Sequence, residues 1–299
     1  TPRPRHDHRF ANIRRTLELA SKWPRLFNLA SQTRLGRWLA GIAPERQPPQ
    51  VAHRSLLTEC QSLALADPLT ADVTFFPDTF SLHCEPHHVL AAIRVAHSQG
   101  LSAGIAPPVC CGRPLISRGF LDEARLQAES LVKALSPLAQ AHRPIVFLEP
   151  GCWSAVIDDL PHLVSSSARE SATEVARSCR TFEQWAADVL PEPSEPTTND
   201  ETVLHHGHCH QKALTGTGPA LEAIRRGGGC STDLDSGCCG MAGSFGYEPE
   251  HLGVSLAIGE RVLAPAVRDH RGPVVAPGFS CRHQVEHLTG VRALSTAEW

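Results

Sequence analysis

No apolar run in the sequence approaches the roughly 20 residues that a membrane-spanning helix requires. The N-terminus lacks the apolar centre of a secretory signal. The expectation from these absences is a cytoplasmic protein, whose thiols stay reduced. No excess charge of one sign dominates either: 28 Lys and Arg stand against 31 Asp and Glu, a formal net of −3. Global charge therefore gives no reason to expect a nucleic-acid partner. The first residue is Thr, not Met, as in a trimmed chain or a fragment.

What is present is unevenly distributed. Residues 1–50 carry ten Lys/Arg against three Asp/Glu, a net of +7, so the remainder is near −10. Within residues 10–42, Ile13, Leu17, Trp23, Phe27, Leu35, Trp38, Leu39 and Ile42 recur at helical spacing, with Arg14, Arg15, Lys22, Arg25, Arg34 and Arg37 between them. Two helices split at Pro24 are expected there, followed by a proline-rich linker over 43–52. Two short helices do not bury such a stripe alone. It is expected to pack on the rest of the chain or on a neighbouring module. Anionic lipid at the inner face of a membrane is the alternative partner for this basic segment.

From residue 72 short apolar runs alternate with helical patterns. Strands are expected at 73–76, 101–105, 145–148, 203–205 and 273–276, and helices at 89–98, 119–138, 213–226 and 252–268. This alternation predicts an α/β fold with small, mainly parallel sheets. Three anchors repeat at near-constant offset. Val109-Cys110-Cys111-Gly112 matches Gly237-Cys238-Cys239-Gly240, Val146–Cys152 matches Val275–Cys281, and Val73–Asp78 matches Val203–His208. The chain therefore reads as a duplicated unit, with a polar, proline-rich stretch at 191–200 between the copies. The expected organisation is an N-terminal helical segment (1–70), a first unit (71–196) and a second (197–299), the two copies in pseudo-twofold arrangement.

Eleven cysteines, two pairs of them adjacent, dominate the chemistry. Adjacent cysteines are poor structural disulfides. In the second copy Cys209 follows a strand, Cys238 and Cys239 lie in a glycine-rich loop, and Cys281 follows the last strand. Loops at the carboxyl ends of parallel strands converge on one crevice, so four thiolates are expected to meet. Such a set holds an iron–sulfur cluster or zinc. The first copy keeps Cys110, Cys111 and Cys152 but has Thr79 where the second has Cys209. It reads equally as a second metal site completed by Cys84 or Asp78, or as a degenerate copy. His205, His206, His208 and His210 crowd around Cys209. Of these, His206, His208 and His210 are expected to support the thiolates by hydrogen bonding rather than to bind metal. Cys60, Cys179 and Cys230 fall in no motif.

Six strings carry a resemblance: Pro77–Phe80, Cys110–Leu115, Glu149–Cys152, His206–His210, Asp235–Gly246 and Gly278–Cys281. Together they resemble the C-terminal cysteine-rich, or CCG, region of bacterial FAD-linked oxidases related to D-lactate and D-2-hydroxyglutarate dehydrogenases. The same domain occurs in the iron–sulfur subunits of glycolate oxidase and in heterodisulfide reductase. The resemblance implies an electron-transfer module holding an iron–sulfur cluster of the 4Fe–4S type on Cys209, Cys238, Cys239 and Cys281. Zinc in a structural or docking module, or thiol–disulfide chemistry at the paired cysteines, remain the alternatives. It implies no catalytic residue on this chain; FAD lies on a partner or an upstream domain, beside a ferredoxin-like module. The chain departs from the fullest CCG pattern, which has five cysteines per copy: Glu149 and Gly278 stand where the first of a final Cys-x-x-Cys pair would be. Nothing in it resembles a flavin-binding domain, and the Cys-x-x-Cys-x-x-Cys run of a ferredoxin is absent.

Overall fold

The computed structural model describes residues 4–193 and 202–299. The chain parts into two compact units, Thr1–Arg180 and Thr181–Trp299. Most of the proline-rich stretch 191–200 lies outside the described residues. The second unit begins earlier than residue 197 because the helix Phe182–Val189 packs on the helix Gly218–Arg226. Thr181 and Gln184 close a capping box at its start, and its buried Glu183 accepts a hydrogen bond from Thr296 (2.8 Å).

Each unit holds a small parallel sheet. The first contains β1 (Val73–Phe76), β2 (Ala103–Ile105), β3 (Ile145–Phe147) and β4 (Cys179–Thr181), in the order β2-β1-β3-β4. The second contains β5 (Thr202–His205), β6 (Cys230–Asp233) and β7 (Val274–Val275), in the order β6-β5-β7. Beyond β7, Val275 makes a lone parallel bridge to Leu294. In both units the earliest strand sits between the next two, and the registers run parallel: Thr74 pairs with Gly104 and Ile145, and Leu204 with Thr232 and Val274. β1 and β3 are buried at every residue, as expected of a parallel sheet covered on both faces.

The long helix Leu121–Gln140 covers the first sheet. Ala124, Ala128, Leu131, Leu135 and Leu138 recur on one buried face, and Leu131 and Leu135 pack with Ile145, Phe147, Trp153 and Val175. Burying each leucine contributes about 2 kcal/mol. In the second unit Val203, Ile224 and Val275 pack together, with Leu294 and Trp299 against them.

Residues 5–40 form four helices, Arg5–Ala11, Ile13–Ala20, Pro24–Ser31 and Arg34–Ala40, rather than two. Pro24 starts the third, as its fixed φ favours, and Thr33 caps the fourth through the Gly36 N–H. The apolar stripe divides. Leu17, Ala20, Ile13 and Phe27 pack with Val51, Phe80 and Cys84. Arg118 pairs with Asp7 (2.8 Å), Arg14 donates to the Pro108 carbonyl (2.7 Å), and Ser21 meets His83 (2.9 Å). Trp23 and Trp38 remain 66% and 73% exposed.

Two long helices expected from periodicity are broken. Residues 209–214 and 218–226 are separate helices, because Gly216 takes φ +72 between them. Residues 252–261 and 263–269 part at Val262, since Pro265 would clash with the Arg261 carbonyl in a continuous helix. Among the described residues no helix is long and apolar enough to cross a membrane.

Candidate metal centre

The two units build the same three supports at the carboxyl ends of their strands. After β5, Gly207 leads to His208, whose Nδ1 caps the helix Cys209–Leu214 by accepting the His210 N–H (3.2 Å). Cys209 is thus the first residue of that helix. After β1, Asp78 caps the helix Thr79–His83 in the same way, accepting from Phe80 and Ser81 (2.8 and 3.1 Å). The adjacent cysteines follow β2 and β6. Gly112 (φ +83) and Gly240 (φ +95) hold matched left-handed turns. Their N–H groups point back at Cys110 Sγ (3.5 Å) and Cys238 Sγ (3.3 Å). Finally Cys152 and Cys281 each occupy the third position of a helix, Pro150–Ser154 and Phe279–Thr289, that starts after β3 and β7.

In the second unit the thiols form a connected set. Cys238 lies between Cys209 and Cys239, hydrogen-bonded to both, and Cys239 is bonded in turn to Cys281. A ring nitrogen of His206 and the sulfurs of Cys239 and Cys281 lie within 4.8 Å of one another, all three residues buried. Cys209 is exposed and Cys238 half-buried. The hydrogen bonds shift neighbouring thiols in opposite directions. Hydrogen bonds from Cys209 and Cys239, reinforced by the Gly240 N–H, pull Cys238 down to about 2. Cys281 is held well below the ordinary thiol range by Cys239, with His206 and His208 assisting. Cys209 and Cys239 are pushed up, each mainly by donating to Cys238. Four thiols linked in this way compete for the same protons, and metal binding to such a set releases protons.

The surroundings leave no slack. Arg282 is buried and donates to the carbonyls of Ala276 and Pro277 (3.1 and 2.6 Å), fixing the turn before Cys281. A Cβ on Gly278 would sit 2.3 Å from His208 Cδ2, so only glycine lets that ring approach. Gln211 is fully buried two residues after Cys209, and neither amide atom has a partner among the described residues. The donor set, all soft sulfur with one imidazole, fits iron–sulfur or zinc chemistry and not a hard cation.

The first unit is poorer. Cys111 and Cys152 sulfurs are 2.8 Å apart, and Cys110 hydrogen-bonds Cys111. The hydrogen bond with Cys111, then burial, raises Cys110, and Cys152 is pushed up to about 11. Cys84, a sequence candidate to complete this set, instead packs with Leu17, Ala20, Val51 and Phe80, while Cys111 and Cys152 pack with Phe147 and Trp153. The reason is its position at the far end of the helix that Asp78 caps. One Asp78 oxygen is committed to that cap. Where the second unit has His206, the first has Phe76, stacked on Phe147 at 4.3 Å. Arg113, bonded to Gly151, Ser154 and Asp159, ties the two cysteine segments together. His210, the other sequence candidate, is half-buried with its ring 5.4 Å from that of His208.

Sequence reasoning missed three contributors. Ser236 Oγ meets His206 Nδ1 at 2.7 Å, Asp233 holds His205 Nδ1 at 3.0 Å, and Thr217 donates to Asp233 (2.5 Å). Ser236 and Asp233 lie just before the paired cysteines. Only the register of β6 beside β5, with Asp233 opposite His205, brings them to the histidines.

Residues 203–286 match the cysteine-rich domain family named CCG. Over 223 residues, 74% of this chain and 56% of the relative, it is 27% identical to a subunit of the anaerobic glycerol-3-phosphate dehydrogenase of Escherichia coli K12. Over 97% of this chain and 30% of the relative, it is 28% identical to the D-2-hydroxyglutarate dehydrogenase of the same organism. Lactate utilization protein A of Oceanobacillus iheyensis is 23% identical over 47% of this chain and 58% of the relative. The chain thus spans about half of the first relative and under a third of the second.

Proposed function

We propose that this chain is the iron–sulfur, electron-transferring module of an FAD-linked 2-hydroxyacid dehydrogenase, of the D-lactate, glycolate or D-2-hydroxyglutarate type. The observation that carries the reading is the meeting of Cys209, Cys238, Cys239 and Cys281, from three distant segments, at the carboxyl ends of one parallel sheet. A resident iron–sulfur cluster supplies one-electron transfer between a flavin elsewhere and an acceptor such as a quinone. The protein's part is positional. Arg282 and the left-handed Gly240 hold the thiols, Gly240 N–H lies against the Cys238 sulfur, and the His208 ring is held close to the Gly278 turn that precedes Cys281. The flavin and a ferredoxin-like module belong to a partner or to another part of a longer protein. In this reading the first unit, with only three cysteines brought together and Phe76 where the second unit has His206, holds no cluster.

The test is anaerobic reconstitution with iron and sulfide. A brown protein that retains both elements is expected, with Cys238→Ser and Cys281→Ser losing them and Cys110→Ser and Cys152→Ser retaining them. A colourless protein that takes up only zinc would favour the structural or docking alternative. Full iron in both second-unit variants would refute the ligand set.

A further inference from the structure

We propose that His206 is itself a metal ligand, acting with Cys239 and Cys281, and that exposed Cys209 occupies the exchangeable position of the site. The inference rests on the reading of the second unit as a metal centre and concerns which of its groups bind. The tightest buried donor group there is His206, Cys239 and Cys281, mutually within 4.8 Å. His206 is 1% exposed, and its Nδ1 is held by Ser236 Oγ at 2.7 Å, which leaves Nε2 as the nitrogen for a metal. An imidazole fixed through one nitrogen by a hydrogen bond, with the other facing ligand atoms, is the usual arrangement of a metal-bound histidine.

The comparison within the chain points the same way. The strand-end position taken by His206 is Phe76 in the first unit, stacked on Phe147. An apolar ring therefore suffices to fill that place beside three cysteines. The second unit instead buries a polar ring that is held by Ser236 on one side and hydrogen-bonded to the Cys281 sulfur, so the ring is oriented toward a ligand thiol. Cys209 has the opposite character. It is exposed at the start of a six-residue helix, and its hydrogen bond runs to half-buried Cys238 rather than to the buried group. Solvent or an incoming group reaches Cys209 first.

The experiment uses the whole chain, reconstituted anaerobically with iron and sulfide, and also loaded with zinc alone. In the one-electron-reduced iron form, pulsed electron paramagnetic resonance is expected to show a directly coordinated nitrogen. That signal should change on incorporation of 15N-histidine, persist in Cys209→Ser and vanish in His206→Ala. His206→Cys should restore metal binding with a lower midpoint potential, since replacing imidazole by thiolate lowers cluster potentials. Ser236→Ala keeps the imidazole but frees Nδ1, and should weaken metal retention about tenfold. In the zinc form, X-ray absorption should count one nitrogen at about 2.0 Å beside sulfurs at about 2.3 Å. Absence of the nitrogen in both forms, with His206→Ala binding each metal as the parent does, overturns the assignment. A chain that refuses iron and sulfide yet shows the zinc–nitrogen distance, lost in His206→Gln, sinks the iron–sulfur reading while sustaining this one.

Discussion

Substituting Gly240 and Gly237 by alanine separates backbone strain from crowding within one loop. Both glycines have positive φ, +95 and +67, so alanine at either costs about 1 kcal/mol in backbone conformation. At Gly237 a Cβ meets nothing within 4 Å, and the cost ends there. At Gly240 it would lie 2.3 Å from the Ser255 carbonyl oxygen and 3.1 Å from Gln284 Nε2. Those two atoms are hydrogen-bonded to each other at 3.0 Å, and both residues are fully buried, so neither yields freely. Overpacking of this kind adds about 2 kcal/mol, for a total of about 3 kcal/mol. Urea unfolding of the metal-free chain, followed in the transition of the second unit, reads the difference. With a slope of about 2 kcal/mol/M, Gly240→Ala should lower the midpoint by roughly 1.5 M and Gly237→Ala by roughly 0.5 M. Equal shifts would show that the close approach of the paired-cysteine turn to Ser255 is not what the loop requires.

Acid should loosen the N-terminal helices. Burial, then Arg14, holds His83 down at about 4 against an ordinary 6.5, so the folded form is neutral and the unfolded chain takes the proton first. Its stabilising contribution is complete above pH 6.5, falls away between pH 6.5 and about 4, and is constant below. Hydrogen exchange across 13–20 should quicken over that window, and His83→Asn should flatten the dependence. Arg282→Met should destabilise the second unit by about 2–4 kcal/mol, because it leaves the Ala276 and Pro277 carbonyls unpaired in a buried turn. Calorimetry should show that loss together with poorer iron retention, and Arg282→Lys should recover only part of both.

The strands that position the site were legible because their apolar runs are continuous. Val73–Phe76 is observed where it is expected, and Ile145–Phe147 and Thr202–His205 within a residue. The duplication was legible because the cysteine segments keep their spacing, and the structure repeats their caps and turns in matched places. β4 and β6 were not, since Cys-Arg-Thr and Cys-Ser-Thr-Asp are short and half polar, and only pairing with a neighbour makes them strands. The breaks at Gly216 and Val262 depend on one glycine and one proline that helical periodicity does not register. In the site, the four cysteines follow from topology, but the arrangement of His206, Ser236 and Asp233 depends on cross-strand register. The placement of Cys84 among N-terminal side chains depends on docking of a helix from residues 13–20, a contact that no local pattern encodes.

If the second unit carries electrons, a reductive titration of the reconstituted chain reads them. Stepwise anaerobic reduction, followed by visible absorption and electron paramagnetic resonance, should bleach the colour and raise one spin per chain. Both changes should reverse on reoxidation and be absent from Cys238→Ser and Cys281→Ser. A chain that binds metal stoichiometrically yet accepts no electron at any accessible potential would rule out an electron-transfer role for the second unit.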